Sequence, residues 1–142
     1  MNATIEKFGY PATLIAEFDH WLVLLRPAQP TLGSLVLAAK SDATAFGDLP
    51  AAAHAELKTV TVAIESGLTA AVGYARINYL MLMMVDPHVH FHVLPRYEGE
   101  RSAAGVAAVD AGWPGQPDLG KAVKLDDGQV AALAAWLKPY FA

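Results

Sequence analysis

The apolar positions of this chain fall into short unbroken runs and longer ones that repeat every three or four residues. Trp21-Leu22-Val23-Leu24-Leu25 is unbroken and of strand length, which predicts a buried strand. Arg26 to Gly33 follows, and its prolines and glycine mark a loop. Ser34-Leu35-Val36-Leu37-Ala38-Ala39 resumes the apolar pattern, so residues 21–39 read as a hairpin-like strand pair. An edge strand is expected before it, around Thr13 to Phe18.

The period then changes. Leu57, Val60, Ile64, Leu68 and Ala71 are spaced as the apolar stripe of a helix with one buried face. Asp48 is expected to cap this helix, with Pro50 in its first turn and Gly73 as its stop. Arg76 to Met84 and His88 to Tyr97 predict two further strands, and the turn signal Val85-Asp86-Pro87 between them favours an antiparallel pair. Residues 98–124 are rich in Gly, Ala and Pro and read as irregular. Asp126 with Gln129 forms a capping-box start for a last helix, whose stripe is Val130, Leu133, Ala134 and Leu137. The order predicts an α+β domain over residues 1–142, an antiparallel β-sheet of about five strands with a long central helix and a C-terminal helix.

Composition narrows the functional classes. With 54% apolar and 17% charged residues in 142, the chain can bury a core, and disorder is excluded. A net charge of −4 argues against a nucleic-acid polymer as partner, although a few local donors can still hold a small phosphate ligand. The chain contains no cysteine, so disulfides and Cys-ligated zinc are excluded. No apolar run approaches the ~18 residues of a membrane span, and the N-terminus has no signal-peptide pattern. A cytoplasmic protein without a membrane partner is expected.

The candidate chemistry lies in His88-Val89-His90-Phe91-His92-Val93-Leu94. On one strand the three imidazoles would share a face at ~6.5–7 Å intervals, with Val89, Phe91 and Val93 on the other. Three readings fit the row. In the first, neutral His90 attacks phosphorus while its other ring nitrogen donates to a backbone carbonyl; His92 bonds a phosphate oxygen or the leaving group, and His88 orients the row. In the second the row binds zinc, but three successive same-face positions span too far to converge on one ion, and only His20 and His54 remain as further imidazoles. In the third they are polar residues on a solvated face.

The His-φ-His-φ-His-φ-φ run at His88 to Leu94, followed by Pro95-Arg96, resembles the signature of the histidine triad superfamily of nucleotide hydrolases and transferases. The resemblance extends over most of the chain: an apolar strand, a loop ending at Gly33, a second strand, a helix and an Asn-bearing strand leading into the triad. It implies a homodimer acting on nucleoside phosphate derivatives through a covalent histidine intermediate, with no cofactor and no obligatory metal. By position it makes His90 the nucleophile on the α-phosphate, puts His92 near the scissile bond, His88 in support and Asn78 beside the ribose or nucleophile. The chain departs from the family pattern at three places. Ser34 stands where a fourth histidine is usual, Met83 and Met84 replace a Gly-Gln pair, and Arg26 lies near the place of a ribose-binding Asn. The resemblance therefore also accommodates a catalytically weak nucleotide-binding or interaction protein with the same fold.

Arg26, Lys40, Arg96 and Arg101 are candidate phosphate donors, each set against the alternative of a solvated charge. Ser34, Asn78, Arg26 and Arg96 complete the expected substrate contacts. Met81, Met83 and Met84 could wall an aromatic ligand or simply pack. Trp113 with Pro114 reads as an anchor for the irregular stretch, and Asp86 with Pro87 as a turn.

Overall fold

A computed structural model describes residues 1–142. In chain order its elements are helix α1 (Ala3–Lys7), strands β1 (Leu14–Glu17), β2 (Trp21–Leu25), β3 (Ala28–Gln29) and β4 (Leu35–Ala39), and helix α2 (Ala51–Val72). Then come β5 (Arg76–Leu80), β6 (His90–Arg96), β7 (Glu100–Ala103), β8 (Val106–Val109), β9 (Val123–Lys124) and α3 (Asp127–Leu137). Five strands form one antiparallel sheet in the order β1-β2-β4-β6-β5. The fold class and the two main helices are those expected from the sequence.

Register gives the sheet two unlike faces. Residues paired across neighbouring strands point the same way. Val23, Leu37 and Phe91 therefore share one face, as do Leu25, Leu35, Val93 and Tyr79. That face packs against Val60, Ile64 and Leu68 of α2 and against Leu133 and Leu137 of α3 in the main core. On the other face Leu22, Ala38 and His90 line up, and beside them Leu24, Val36 and His92. A smaller cluster covers this side, made of Ile5, Leu22, Leu24, Val36 and Ala38, with Phe8, Tyr10 and Leu14 packed on it. The first ten residues thus lie over the histidine face.

The helix boundaries match in part. Gly73 ends α2 at φ 63°, with its N–H bonded to Leu68 O and Thr69 O, the left-handed stop that glycine adopts without strain. Asp48 does not cap α2. It closes a 3₁₀ turn at Phe46–Asp48, and Pro50 takes the N-cap position without a side-chain hydrogen bond. A proline there fixes φ and removes a donor the first turn could not have satisfied. At α3 the capping box is complete: the Asp126 side chain accepts from Gln129 N, and Gln129 Oε1 accepts from Asp126 N.

Two stretches differ from expectation. β5 stops at Leu80, so Met81 to Met84 form loop rather than strand, and β6 begins only at His90. The connection runs over residues 81–89 and exposes Leu82, Met84 and Val85. Residues 98–124, expected to be irregular, contain the β7–β8 hairpin and the short strand β9. β9 pairs with β3 inside the loop between β2 and β4, at Ala28↔Lys124 and Gln29↔Val123. These strands are too short for an apolar period to register.

Candidate functional site

His90 and His92 sit on β6 with their rings 5.1 Å apart between centroids, nearly perpendicular at 75°. His88 is not on that strand. Its side chain meets Thr4 of α1, Nδ1 to Oγ1 at 2.8 Å, and its main-chain carbonyl reaches forward to His90. The three imidazoles therefore do not form one strand-borne row. Two carry the face, and the third works from the loop.

The hydrogen bonds fix the protons on the two strand histidines. His90 Nδ1 lies 2.7 Å from His88 O. A carbonyl only accepts, so Nδ1 bears the hydrogen, and in the neutral ring Nε2 holds a lone pair. His90 Nε2 is also the one buried side-chain nitrogen or oxygen without a hydrogen-bond partner. His92 has the opposite arrangement. Arg26 Nε donates to His92 Nδ1 at 3.1 Å, and because arginine has no acceptor, Nδ1 must be the lone-pair nitrogen and Nε2 the N–H. Burial, the Arg26 charge and His90 together push the His92 pKa down to about 4.

Arg26 comes from the loop between β2 and β4, which Gln29 closes from inside. Its Oε1 accepts from Gly33 N and Ser34 N at 2.9 and 3.2 Å, and its Nε2 donates to Arg26 O and Ser34 O at 2.6 and 2.9 Å. Arg26 Nη1 donates to Ala28 O at 2.6 Å, which leaves Nε aimed at His92. Burial lowers the pKa of this guanidinium from its ordinary value. Nothing in the sequence marks Gln29: a fully buried polar residue between two prolines has no pattern of its own.

Phe8 also carries no signal in the sequence. Its ring lies 5.6 Å from His90 and 5.7 Å from His92 between centroids, and His90 is fully buried beneath it. The segment bearing Phe8 is tied down by Thr4 on His88, by Lys7 Nζ to Asp86 at 2.6 Å, and by Asn2 on Ala39 O and Ser41 O. Asp86 thus does more than shape the turn. A cleft of about 200 Å³ opens beside the histidines between Lys7, Phe8, Arg26, Pro27 and Ala28.

Other expected contacts are engaged elsewhere. Ser34 is buried and turned into its own loop, donating to Thr31 O at 2.7 Å and bonded to Thr31 Oγ1 at 2.9 Å. Arg96 is locked to Asp110, Nε to Oδ2 at 2.7 Å and Nη2 to Oδ1 at 3.0 Å; it also donates to Gly115 O and to Asn78 Oδ1. It lies six residue steps along β6 from His90, ~20 Å at ~3.3 Å each, too far to hold a phosphate attacked there. Asn78 pairs with Leu94, ~13 Å along the sheet from His90. It cannot touch the nucleophile, and its amide oxygen is already taken by Arg96. Arg101 stacks on the Tyr97 ring at 4.7 Å, and Lys40 pairs with Glu17 at 2.7 Å. No three His, Asp or Glu side chains gather as a set able to hold a metal ion.

A larger concavity of about 970 Å³ lies away from the imidazoles, between β5 and residues 113–117. Trp113 and Pro114 form part of its wall, held over Arg96 through Gly115.

No family model matches the sequence, and comparison with curated proteins finds no match either. Solved structures do match. A histidine triad protein from Sinorhizobium meliloti 1021 superposes with a TM-score of 0.74 at 23% identity, over 99% of this chain and 95% of that one. The chain has the histidine triad fold. A histidine triad protein from Bradyrhizobium japonicum gives 0.73 at 19% identity, over 100% and 97% of the two chains. A hypothetical histidine triad nucleotide-binding protein from Sulfolobus tokodaii strain7 gives 0.69 at 17%, over 97% and 89%. In this histidine triad fold the sheet holds His90 and His92 together, and Phe8, just after α1, packs on both.

Proposed function

We propose that this chain is a nucleotide-binding member of the histidine triad superfamily, and that it hydrolyses or transfers nucleotidyl groups through His90. The observation that carries this reading is the unpartnered, buried Nε2 of His90, with its lone pair set by the hydrogen bond from Nδ1 to His88 O. Nε2 attacks the α-phosphorus of a nucleoside phosphate derivative and forms a P–N bond as the bond to the leaving group breaks. The ring becomes cationic in that step, and the His88 carbonyl, already accepting from Nδ1, stabilises the charge. Water then attacks the phosphorus as the P–N bond breaks; the electron pair returns to Nε2 and the proton of the water passes to solvent. The cleft between Lys7, Phe8 and Arg26 would take the nucleoside side of the substrate, with Lys7 and Arg26 as cations near its phosphate. A second copy of the chain would pair along β5, the edge strand of the sheet next to exposed Leu82, Met84 and Val85.

A second reading has its own observation. His90 has no accessible surface and Phe8 packs on its ring, so phosphate reaches Nε2 only after the structure around it opens. A binding protein that never opens would hold a nucleotide without turning it over. Incubation with nucleoside phosphoramidates and dinucleoside polyphosphates, with capture of the adduct by mass spectrometry, separates the two. A mass increase of one nucleoside monophosphate on His90, lost in His90→Ala, is the expected result. Calorimetric binding without adduct or turnover would overturn the catalytic reading in favour of the second.

A further inference from the structure

The two imidazoles that face each other on β6 carry their protons in opposite senses, set by the His88 carbonyl for His90 and by Arg26 for His92. His90 shows a bare Nε2 because its Nδ1–H is spent on a carbonyl. His92 shows an Nε2–H because its Nδ1 lone pair is spent on Arg26 Nε. Arg26 is in turn held by Ala28 O and by the Gln29-braced loop, which is clasped from outside by β9. We infer that Arg26 is a positioning residue that holds His92 as a neutral, single-proton donor, which suits the site to leaving groups that depart as anions, namely phosphates and polyphosphates, rather than amines. The inference rests on His90 being the nucleophile at phosphorus.

The chemistry follows from proton counting. When His90 Nε2 bonds to phosphorus and a P–O bond to a phosphate leaving group breaks, the electron pair stays on that oxygen. The departing phosphate is stable as an anion and needs only the hydrogen bond that His92 Nε2–H can give. An amine leaving group must acquire a proton as its P–N bond breaks. His92 has only the Nε2 proton, and giving it up would leave an imidazolate. A second proton would have to enter at Nδ1, where Arg26 Nε–H already points. The groups that face His92 are Arg26 from the loop after β2, His90 on its own strand, the apolar ring of Phe8 from the N-terminal segment, and Asp86 from the 81–89 loop. Asp86 alone favours a charged His92, and its carboxylate is shared with Lys7 at 2.6 Å.

The test pairs a spectroscopic readout with a ratio of activities. Long-range proton–nitrogen NMR of the intact protein reports tautomer and titration of each histidine. The expected result is an Nε2–H tautomer for His92 that stays neutral through pH 6. In Arg26→Ala the Nε2–H preference should be lost and the midpoint should move upward by one unit or more, and Arg26→Lys should restore part of both. A His92 that is protonated at Nδ1 in the native chain, or one unmoved in Arg26→Ala, overturns the role of Arg26. The native spectrum decides the tautomer even if Arg26→Ala does not fold. For the leaving group, kcat/KM is compared for diadenosine triphosphate and adenosine 5′-phosphoramidate. The native ratio should favour the triphosphate at least tenfold and fall at least tenfold in Arg26→Ala at pH 6. A native ratio near one, or one favouring the phosphoramidate, overturns the leaving-group assignment. Turnover of neither substrate, with no adduct on His90, overturns the reaction at phosphorus and the leaving-group assignment with it, while the NMR result still decides the role of Arg26.

Discussion

Phe8 lies across His90 with ring centroids 5.6 Å apart, so an apolar side chain from the N-terminal segment packs on the imidazole best placed to attack phosphorus. The same ring meets His92 edge-on at 5.7 Å. Cover and site are therefore coupled through one side chain, and the first variant to make is at this position.

Phe8→Ala should expose His90. Modification of His90 by diethyl pyrocarbonate, followed by peptide mass spectrometry, is expected to speed up about tenfold or more, with His20 as the internal reference. Full truncation of a buried Phe costs about 3–5 kcal/mol. Phe8 is only half-buried, so about 1–2 kcal/mol is expected here, read as a modest fall in Tm. A rate for His90 equal to that of the native chain would show that Phe8 does not control access.

The depressed pKa of His92 sets a pH window for stability. The native group titrates at about 4 and the unfolded one near 6.5. Between those values the unfolded chain binds the extra proton, so stability falls as pH drops from about 6.5 towards 4 and levels off below. After allowance for partial screening by solvent, the loss is on the order of 2 kcal/mol. Urea titrations at pH 7 and pH 4.5 should show that difference shrinking in His92→Gln. An identical difference in the variant would remove His92 as its source.

Asp110→Asn should be among the most damaging single changes. It leaves the Arg96 guanidinium, 3% exposed, without its carboxylate. Removing one partner of a buried pair costs about 3–5 kcal/mol, which corresponds to roughly 10 °C in Tm for a chain of this size. Asp110 Oδ2 also accepts from Tyr97 N, so the amide loses a second charge-assisted bond. A thermal scan showing a shift of only 1–2 °C would mean that the pair is solvated.

Gly33→Ala is expected to loosen the loop that carries Arg26. Gly33 has φ 90°, and an added Cβ would come within 3.0 Å of Val72 Cγ2 and 3.3 Å of Leu68 Cδ2. Backbone strain and crowding together should cost about 1–3 kcal/mol. Calorimetry checks the loss, and the His92 nitrogen shifts report whether Arg26 has moved with the loop.

Much of the sheet was legible because its strands are long enough for an apolar run to register, and both main helices were legible from the spacing of residues such as Val60 and Ile64 or Leu133 and Leu137. The histidine strand was legible as chemistry, but its extent was not. Periodicity continues through His88 and Val89, whereas the ladder starts at His90 because the chain is bending in from the loop. Long-range contacts left no local trace. Nothing near Phe8 reveals that it meets residues more than eighty positions away, and nothing near Arg96 reveals Asp110 across the β7–β8 hairpin. The charge of Arg26 is plain in the sequence, yet its role comes from the side of the imidazole it reaches, which only the fold decides.

Val89 gives the loop before the histidines an unexpected freedom. Its carbonyl accepts from Ala39 N at 3.0 Å and its own N–H donates to Ala43 O at 3.1 Å, and its side chain is buried. The chain is thus pinned on both sides one residue before β6 begins. A shift of one residue in a strand turns every side chain to the opposite face, which here would drive both imidazoles into the main core. The clamp at Val89 absorbs such shifts upstream. Residues 81–85, upstream of the Asp86–Lys7 pair, can therefore lengthen, shorten or change composition without altering how His90 and His92 are presented, which makes that segment a place where related chains could vary what they recognise while keeping the same reactive pair.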